Sequence, residues 1–533
     1  MLLPLKKLPN NSKVAVVGGG VSGLMFTYFL GKLRPDIQIT LFEGAKRTDG
    51  WINSWNTKDA EGKPIMLERG PRTLRGVSDG TVLIMDILRN HDEEKSIQCI
   101  DANSNANRKF LLDPNDHLVQ VPNSLGSFLK FISNPLSKGL FSGLLGEWFR
   151  KPSINPTSDE TVKSLMDRRY GNDLIGKNLL SAIYHGIYAD DISTLSAQKT
   201  AAKTFYAERQ YGSTMKAAFQ NWKEKLFSSK SGNPLSKCLR EYQTEFNKDS
   251  NVLIKLSQNL KQYPMLGLVG GLETLPKVVR KALDGMENVQ ILVNNPVTKI
   301  SYTSRKPTVG VKLSNGDKME GFDHLRLTNT PDKMASMVSA TYRNLVKDLK
   351  LVEANTVVLV NFFLQKKDVI PKELEGFGYL VPSSNPNPEK VLGVIFDSVI
   401  ENNFKPFDLR SKNKLRSNDY TKLTIMVGGH LLNKDGKQTI PAEDECISQV
   451  KDALNRHMKI SREDLDDGLW VYTVAEKCFP HYFVGYNEWQ ARVEKEFLDR
   501  YDGKVSLGGM GFAKGPGVPD VVVDGFQDAL KMK

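Results

Sequence analysis

The order of apolar and polar residues divides the chain into three stretches, and the first begins with a strand, a helix and a second strand. Four consecutive apolar residues, Val14 to Val17, predict a strand that is buried on both faces. The apolar spacing from Ser22 to Leu33 predicts a helix, which Pro35 ends. A second apolar run, Ile37 to Glu43, predicts a parallel strand. The start of the chain therefore predicts a βαβ unit.

The second stretch, residues 117–220, has apolar residues at helical spacing. They are Leu125, Phe128, Leu129, Ile132, Leu136, Leu140, Leu144 and Trp148, with Lys130, Lys138, Arg150 and Lys151 beside them. One interpretation is a set of helices packed on their own core. The other is a basic amphipathic surface that lies in a membrane interface or lines an apolar channel. The sequence leaves both open.

The third stretch begins at about residue 290 and consists mainly of strand patterns. Runs such as VQILVNN, TVGVKLSNGDKM, VVLVNFFL and TIMVGG predict a sheet-rich domain with a hairpin turn at residues 314–317. Before them, the polar run 228–237 predicts a surface loop. Near the end, a short strand meets Gly508 and Gly509, and a helix is predicted from about Gly517. We therefore predict an α/β fold with an α+β insertion, in which the last strand joins the first sheet.

The glycines between the first strand and helix carry the first candidate chemistry. Gly18 permits a tight turn, Gly20 lets a pyrophosphate approach the backbone, and Gly23 allows close packing of helix on strand. The helix then offers its N-terminal N–H groups to the phosphates. Glu43, at the end of the second strand, is placed to bind a ribose and disfavours a 2′-phosphate. The unit predicts a dinucleotide but does not choose between FAD and NAD.

Composition narrows the class of protein without choosing the reaction. The chain has 533 residues and a formal net charge of +12, which suits an anionic membrane surface, small molecule or nucleic acid. No basic block or nucleic-acid-binding motif is present, so nucleic acid is not the expected partner. The four scattered cysteines and seven histidines form no metal-binding spacing, and we predict no metal site. No apolar run is long enough to span a bilayer, and the leader is too short for an ordinary presequence.

Four further segments, in a fixed order, resemble a known family. They are DGWINSWN with ERGPRTLR (49–75), LVGGLETLPKVV (268–279), NNPVTKI (294–300) and the glycine-rich end. This order resembles the amine-oxidase-like flavoproteins. The resemblance implies a discontinuous Rossmann-like FAD-binding domain at 12–100, 255–298 and 480–533. It also implies a sheet-rich substrate-binding domain at 101–116, 221–254 and 299–479, and a helical membrane-associated domain at 117–220.

Shorter motifs resemble the members of this family that oxidise porphyrinogens. They are NRKFLL (107–112), HGIYADD (185–191), GFGYLVPSS (376–384), LGVIFDS (392–398) and CFPHY (478–482). The resemblance implies an oxidoreductase of haem biosynthesis that uses FAD and O2 to remove six electrons from protoporphyrinogen IX. The products implied are protoporphyrin IX and three molecules of hydrogen peroxide. Peripheral attachment to the mitochondrial inner membrane and transfer of product to ferrochelatase are also implied, while the oligomeric state, a homodimer included, stays open.

The resemblance assigns one non-covalent FAD per chain and the residues that contact it. The residues assigned to the pyrophosphate are Gly18, Gly19, Gly20, Val21, Ser22 and Gly23, and those assigned to the adenosine are Glu43, Gly44 and Val297. The remaining contacts, along the cofactor and around the flavin, are Trp51, Gly70, Pro71, Arg72, Thr73, Gly509, Gly515, Pro516 and Gly517. Flavin N5 accepts the hydride in this family, and we identify no protein residue as a catalytic acid or base.

For the substrate, the resemblance assigns Arg108 to a propionate group, which a guanidinium can bind through two parallel hydrogen bonds. The residues expected to sandwich the macrocycle are Gly186, Ile187, Phe377, Leu380 and Met426. Two positions depart from the family pattern, which has glycine where this chain has Asp49 and Asp190. We expect Asp190 either to face solvent or to repel a propionate.

Two other functions are compatible with parts of the sequence. Amine oxidases and other desaturases of the same superfamily share the fold, but the amine oxidases that attach FAD covalently use a cysteine in an SGGCY-like segment, which this chain lacks. A flavin-binding membrane module without activity would have the cofactor site but no substrate pocket. We therefore expect the reaction to be determined by Arg108 and the pocket motifs rather than by the glycines.

Overall fold

A computed structural model describes residues 7–533 except residues 60, 154, 156, 228–233, 306, 408–418 and 435–436. Most of the surface loop predicted at 228–237, and residues 1–6 of the leader, therefore lie outside the described residues. The strands, in chain order, are β1 (Lys13–Val17), β2 (Gln38–Phe42), β3 (Ser54–Lys58), β4 (Pro64–Glu68), β5 (Ile97–Ile100), β6 (Lys109–Leu112), β7 (Leu118–Gln120), β8 (Met265–Leu268), β9 (Val289–Leu292), β10 (Val297–Thr303), β11 (Thr308–Leu313), β12 (Lys318–Phe322), β13 (His324–Leu327), β14 (Ala354–Leu364), β15 (Gly378–Leu380), β16 (Val391–Ile395), β17 (Lys405–Pro406), β18 (Thr421–Gly428), β19 (Asn433–Lys434), β20 (Lys437–Gln438), β21 (Leu469–Pro480) and β22 (Val505–Leu507).

The helices occur throughout the chain, and six of them lie between residues 125 and 211. In chain order they are α1 (Val21–Leu33), α2 (Asp79–Asn90), α3 (Leu125–Ile132), α4 (Leu140–Glu147), α5 (Val162–Tyr170), α6 (Ser181–Tyr188), α7 (Ala197–Thr200), α8 (Ala202–Tyr211), α9 (Thr214–Phe227), α10 (Lys237–Glu245), α11 (Ser250–Leu260), α12 (Thr274–Asp284), α13 (Pro331–Met337), α14 (Arg343–Lys350), α15 (Asp397–Asn403), α16 (Glu443–Met458), α17 (Arg462–Asp467), α18 (Tyr486–Arg500) and α19 (Val518–Met532).

A five-stranded parallel sheet forms the first layer, in the order β22-β13-β1-β2-β9. Its central strand β1 is apolar on both faces because both are covered. Val14 and Val16 pack with α1, α2 and α19, whereas Ala15 and Val17 pack with the core that includes α18. The predicted βαβ unit is confirmed, and so is the prediction that the last strand joins the first sheet.

A seven-stranded mixed sheet, β21-β14-β18-β16-β15-β6-β7, forms the second large layer. Strand alternation gives it two different faces. Phe110, Leu112 and Tyr379 lie on the face that packs on α16, which we call the outer face. Leu111 and Leu380 lie on the opposite face, which we call the inner face, and pack there with Ala182 of α6. The inner face is therefore the one that meets the pocket motif of α6.

Some strands lie on the other side of the expected domain limits. β13 falls inside the range 299–479 but pairs with β1 and β22 of the parallel sheet. β7 falls inside the range 117–220 but pairs with β6. Local patterns identify such strands without naming their partners, because pairing is decided by distant segments. The hairpin turn predicted at 314–317 is confirmed, with Gly316 at φ = +97° between β11 and β12.

Candidate active site

The glycine loop between β1 and α1 is built from close backbone contacts. Gly18 has φ = +107°, a conformation that glycine adopts without steric cost. A Cβ atom on Gly23 would lie 1.9 Å from the carbonyl oxygen of Gly18, so only glycine fits there. Gly20 caps α1 without a side-chain hydrogen bond, which leaves the N–H groups of the first turn, Val21 to Gly23, to an anion. These residues fit a pyrophosphate.

The adenosine residues assigned from the sequence lie together beside this loop. The Glu43 carboxylate accepts hydrogen bonds from the backbone N–H groups of Gly19, at 2.6 Å, and Ala45, at 2.8 Å. A Cβ atom on Gly44 would lie 3.3 Å from Pro296, which precedes Val297 at the start of β10. An acid at the end of β2, next to a glycine loop, fits a ribose.

The C-terminal glycine loop, residues 508–517, meets the N-terminal one. The Gly509 N–H donates to Ser22 Oγ at 3.0 Å, and Gly509 has φ = +86°. The loop ends at Gly517, which caps α19 without a side-chain hydrogen bond. Gly525 of α19 packs on α1, where its Cβ would lie 3.2 Å from the Phe26 nitrogen. Gly515, Pro516 and Gly517 are therefore at a second helix N-terminus near the first.

The segment 70–73 connects β4 to the second large sheet. A Cβ atom on Gly70 would lie 2.0 Å from the Trp51 carbonyl oxygen, which explains the glycine. Trp51 is 42% exposed. The Arg72 guanidinium forms a buried ion pair with Asp397, whose other oxygen accepts a hydrogen bond from Thr424 Oγ1 at 2.7 Å. Arg72 thus joins the segment 70–73, which includes Pro71 and Thr73, to the seven-stranded sheet.

Arg108 precedes β6, and part of its guanidinium is buried without a partner. Its Nε has no hydrogen-bond partner among the described residues, and its Nη2 makes only a long contact of 3.4 Å to the Lys372 carbonyl oxygen. A buried N–H group without an acceptor is costly, and a carboxylate would satisfy it. The unpartnered Nε suits a carboxylate such as the propionate assigned to Arg108, but the alternation that places Phe110 on the outer face places Arg108 on that side too, so the structure does not bring it to Gly186 and Leu380.

The pocket residues divide between the two faces of the seven-stranded sheet. A Cβ atom on Gly186 would lie 2.8 Å from Leu380 Cδ2, so α6 and β15 are in direct contact. Met426 packs near them, in a cluster with Ala189. Ile187, next to Gly186, is 36% exposed. Phe377, however, packs on the outer-face core with Phe110, so the structure does not bring its side chain to Leu380.

The two aspartates that depart from the family pattern are both buried. Asp190 is 3% exposed, and its carboxylate accepts a hydrogen bond from His481 Nδ1 at 2.6 Å. The expectation that Asp190 faces solvent is therefore wrong, because an ion pair with His481 makes its burial possible. Asp49 has φ = +94°, which explains why glycine is the common residue there. Burial raises the pKa of its carboxyl above the usual range.

Lys109, the first residue of β6 and the neighbour of Arg108, is a second cation that the sequence motifs did not single out. Alternation places Lys109 on the inner face with Leu111, whereas Phe110 faces the outer core. The surrounding protein partly desolvates its ammonium, although the side chain is exposed, and together with the nearby charge of Arg75 this lowers the pKa of Lys109. The alternation of RKFLL could have revealed this second cation. Asp397, the partner of Arg72, was inside the quoted motif LGVIFDS, but nothing in the sequence linked the two residues.

A buried histidine, 4% exposed, lies next to the pocket residue Gly186. His185, next to Gly186, bonds through Nδ1 to the Val381 carbonyl oxygen at 2.8 Å, and its ring lies 4.9 Å from that of His430. Burial, with the neighbouring His430, lowers the pKa of His185 to about 4. The imidazole is therefore neutral at pH 7. No cluster that could hold a metal ion occurs among the described residues.

The parallel sheet with its glycine loop defines a dinucleotide-binding class of fold, which here carries a second, seven-stranded sheet, and comparison with known proteins shows its family. Residues 21–513 match the family model of flavin containing amine oxidoreductases. The chain belongs to this family. It is 55% identical over the whole of both chains to protoporphyrinogen oxidase of Saccharomyces cerevisiae. It is 26% identical to protoporphyrinogen oxidase of Homo sapiens, with 97% of this chain and 98% of the human protein covered.

Solved structures share the fold at low sequence identity. A structure titled putative protoporphyrinogen oxidase from Exiguobacterium has a TM-score of 0.69 at 18% identity, with 97% of this chain and 98% of that chain covered. A UDP-galactopyranose mutase has a TM-score of 0.62 at 12% identity, with 97% of this chain and 93% of that chain covered. The mixed α/β fold is thus shared by enzymes with different substrates, so the fold alone does not identify the reaction.

Proposed function

We propose that this protein oxidises protoporphyrinogen IX to protoporphyrin IX with O2, using one non-covalently bound FAD. The observation that carries the proposal is the 55% identity to the yeast protoporphyrinogen oxidase over the full length of both chains. The partly unpartnered Arg108 guanidinium supports it, since a porphyrinogen carries propionate groups. Three successive oxidations remove six electrons, and three O2 molecules become three molecules of hydrogen peroxide.

The residues of this chain bind and orient, while FAD supplies the two-electron acceptor that O2 reoxidises. Arg108 and Lys109 supply positive charge for the propionates. Gly186, Leu380 and Met426 form an apolar wall beside the macrocycle and exclude water from the pocket. The pocket thereby holds a flat apolar ring with charged edges in one orientation.

FAD is favoured over NAD because two helix N-termini and two glycine loops converge at one site. The Gly509 N–H bond to Ser22 Oγ joins the loops. Non-covalent binding is supported by the cysteines. Cys478 lies in β21 with its thiol against the Asn355 carbonyl oxygen, and none of the four cysteines is in a segment assigned to the flavin.

Replacement of Arg108 tests the substrate assignment. We expect Arg108→Ala to raise the KM for protoporphyrinogen IX by about tenfold, because one charge-assisted contact is lost. Arg108→Lys should recover part of this loss, and the absorbance of bound flavin should be unchanged in both variants. Porphyrin fluorescence in air gives the rate. Loss of flavin from Arg108→Ala would show that Arg108 supports the fold instead.

The protein also presents an apolar surface suited to peripheral attachment at the mitochondrial inner membrane. Leu129 of α3 and Leu145 of α4 are 64% and 74% exposed, and Phe149 is 84% exposed. Lys130 and Lys138 lie nearby in sequence. No helix in the described part of the chain is long and apolar enough to cross a membrane. A basic apolar surface of this kind lies in the interface of anionic bilayers. Product would leave there for ferrochelatase.

Vesicle sedimentation tests this surface. We expect the wild type to sediment with vesicles of phosphatidylcholine and cardiolipin, and the double variant Leu129→Glu, Leu145→Glu to bind at least tenfold more weakly. The control is Val252→Glu, at a site that is 52% exposed on α11. If all three proteins bind equally, membrane attachment uses another surface.

A further inference from the structure

Four consecutive carbonyl oxygens of the C-terminal glycine loop each accept a hydrogen bond from a different side chain. The acceptors are Met510, Gly511, Phe512 and Ala513. Their donors are Tyr482 Oη at 3.0 Å, Tyr486 Oη at 2.8 Å, Gln490 Nε2 at 3.0 Å and Lys199 Nζ at 2.8 Å, respectively. Carbonyl oxygens in surface loops commonly bond to water, whereas here four consecutive carbonyl oxygens each have a side-chain donor. The arrangement therefore calls for a structural explanation.

The donors are themselves fixed by regular structure and by one another. Tyr482, Tyr486 and Gln490 are spaced by four residues, which places Tyr486 and Gln490 on one face of α18. Lys199, from α7, also donates to Gln490 Oε1 at 3.2 Å, and its ammonium lies 5.4 Å from the centre of the Tyr486 ring. Tyr482 and Tyr486 are 1% and 0% exposed. The four donors thus form one buried cluster.

The hydrogen bonds from this cluster fix the direction in which the carbonyl oxygens of the loop point. All four carbonyl oxygens are engaged by α7, by α18 or by the segment before it, while the Gly509 N–H engages Ser22 at the start of α1. A free carbonyl oxygen turned toward the cofactor would repel the oxygen-rich edge of a flavin and the negative charge it gains on reduction.

We propose that Tyr482, Tyr486, Gln490 and Lys199 are positioning residues that hold this loop in the form that receives FAD and keep its carbonyl oxygens turned away from the cofactor. The inference rests on the proposed function, because it takes residues 509–517 to be part of the FAD site. None of the four donors was among the residues assigned from the sequence, although Tyr482 ends the quoted motif CFPHY.

Lys199 adds a charge that can be titrated. Burial lowers its pKa to about 8, although Asp524 of α19 and Glu494 of α18 act in the opposite direction. The ammonium also lies 5.7 and 5.4 Å from the ring centres of Tyr482 and Tyr486, whose pKa values burial raises far above this range. Burial raises the pKa of Asp524 to about 6, and Arg326, Lys514 and Asp528 line the same cavity as Lys199. The contact to Ala513 is therefore charge-assisted at pH 7 and loses the charge above pH 8.

Titration of the apoprotein with FAD, followed by flavin fluorescence, tests the proposal. We expect Tyr486→Phe to raise the Kd for FAD by about tenfold, because the Gly511 carbonyl oxygen loses its donor. The matched control is Tyr501→Phe, at a buried tyrosine of the same core cluster whose ring stacks on Phe497 rather than on the loop, and should change the Kd by less than about twofold. The thermal midpoint of both apoproteins is measured alongside.

The pH profile provides a second readout that a purely structural role would not move. In the wild type, the Kd should rise between pH 7 and 9, and Lys199→Met should abolish this step. If Tyr486→Phe does not fold, the same rise in the Kd for FAD is expected for Tyr482→Phe and for Lys199→Met. The proposal is overturned if the variants bind FAD within twofold of Tyr501→Phe. Failure of the wild type to bind FAD would instead overturn the proposed function.

Discussion

At the scale of single residues, Asp49 shows what a departure from a family pattern costs. Its φ of +94° is strained for any residue but glycine. Hydrogen bonding from Thr48 Oγ1, at 3.0 Å, and the nearby Arg47 guanidinium partly compensate its burial. The Asp49 N–H bonds to the Gly19 carbonyl oxygen at 2.9 Å, so Asp49 lies beside the loop assigned to the pyrophosphate.

We therefore expect Asp49→Asn to bind FAD about fivefold more tightly than the wild type, since a negative charge near the phosphates is removed. Asp49→Gly should bind at least as tightly. Its unfolding free energy should stay within about 1 kcal/mol of the wild type, because relief of the strained φ offsets the lost Thr48 bond. Titration with FAD and urea unfolding provide the measurements. Weaker binding by Asp49→Asn would contradict this account.

Residue identities in the cofactor loops could be predicted from the sequence because their reasons are local. Gly18, Gly20 and Gly23 lie within one turn, and their geometry follows from the backbone alone. Arg108 could be assigned only through the resemblance. The ion pair of Arg72 with Asp397 joins residues 325 positions apart, and no local pattern reveals such a contact.

At the scale of elements, the end of α6 is held by long-range polar contacts. The Ala189 carbonyl oxygen accepts from His430 N–H at 3.0 Å and from Asn355 Nδ2 at 3.2 Å. The ion pair of Asp190 with His481 joins the same turn to the segment before α18. These contacts fix the helix that carries Gly186 against β15.

This ion pair predicts a dependence of stability on pH. Burial opposes the charge on His481, but the bond and charge of Asp190, with Glu353, raise the pKa of His481 above its usual value of 6.5. A group whose pKa is raised by folding stabilises the folded protein when it is protonated. This contribution is complete at pH values below the pKa in the unfolded chain and is lost as the pH rises through the pKa in the folded protein. We expect the wild type to be more stable than His481→Gln at pH 6, with a smaller difference at pH 9.

Urea unfolding at the two pH values measures this difference. Asp190→Asn, which keeps the shape of the side chain, should lose the same pH dependence. An equal difference between wild type and His481→Gln at both pH values would show that the pair is not charged in the folded protein. We also expect both variants to raise KM more than they lower kcat, because they act on the wall of the pocket.

The elements themselves were largely predictable, but their partners were not. Alternation and apolar runs identified β1, α1, β2, β11 and β14 closely, because each pattern reports its own burial. The same patterns placed β13 with the substrate-binding segments, whereas it lies inside the parallel sheet. The amphipathic stretch at 125–148 divides between the core and the surface, with Leu136 buried and Leu129 exposed.

At the scale of the whole molecule, the two ends of the chain build one site. β22 lies in the same parallel sheet as β1, and α19 packs along α1. The second sheet is joined to the segment after β4 through the ion pair of Asp397 with Arg72, and its inner face packs on α6 through Leu380. The central claim is that this site passes electrons from protoporphyrinogen IX to O2.

The most direct test measures both products of one reaction. The protein, saturated with FAD, is mixed with protoporphyrinogen IX in air, and porphyrin fluorescence and hydrogen peroxide are recorded together. The account predicts a fluorescence rise that requires both the protein and O2, with three molecules of peroxide per porphyrin. Without O2, the flavin absorbance should bleach as substrate is added. A fluorescence rise no faster than spontaneous oxidation, or no bleaching without O2, would contradict the account.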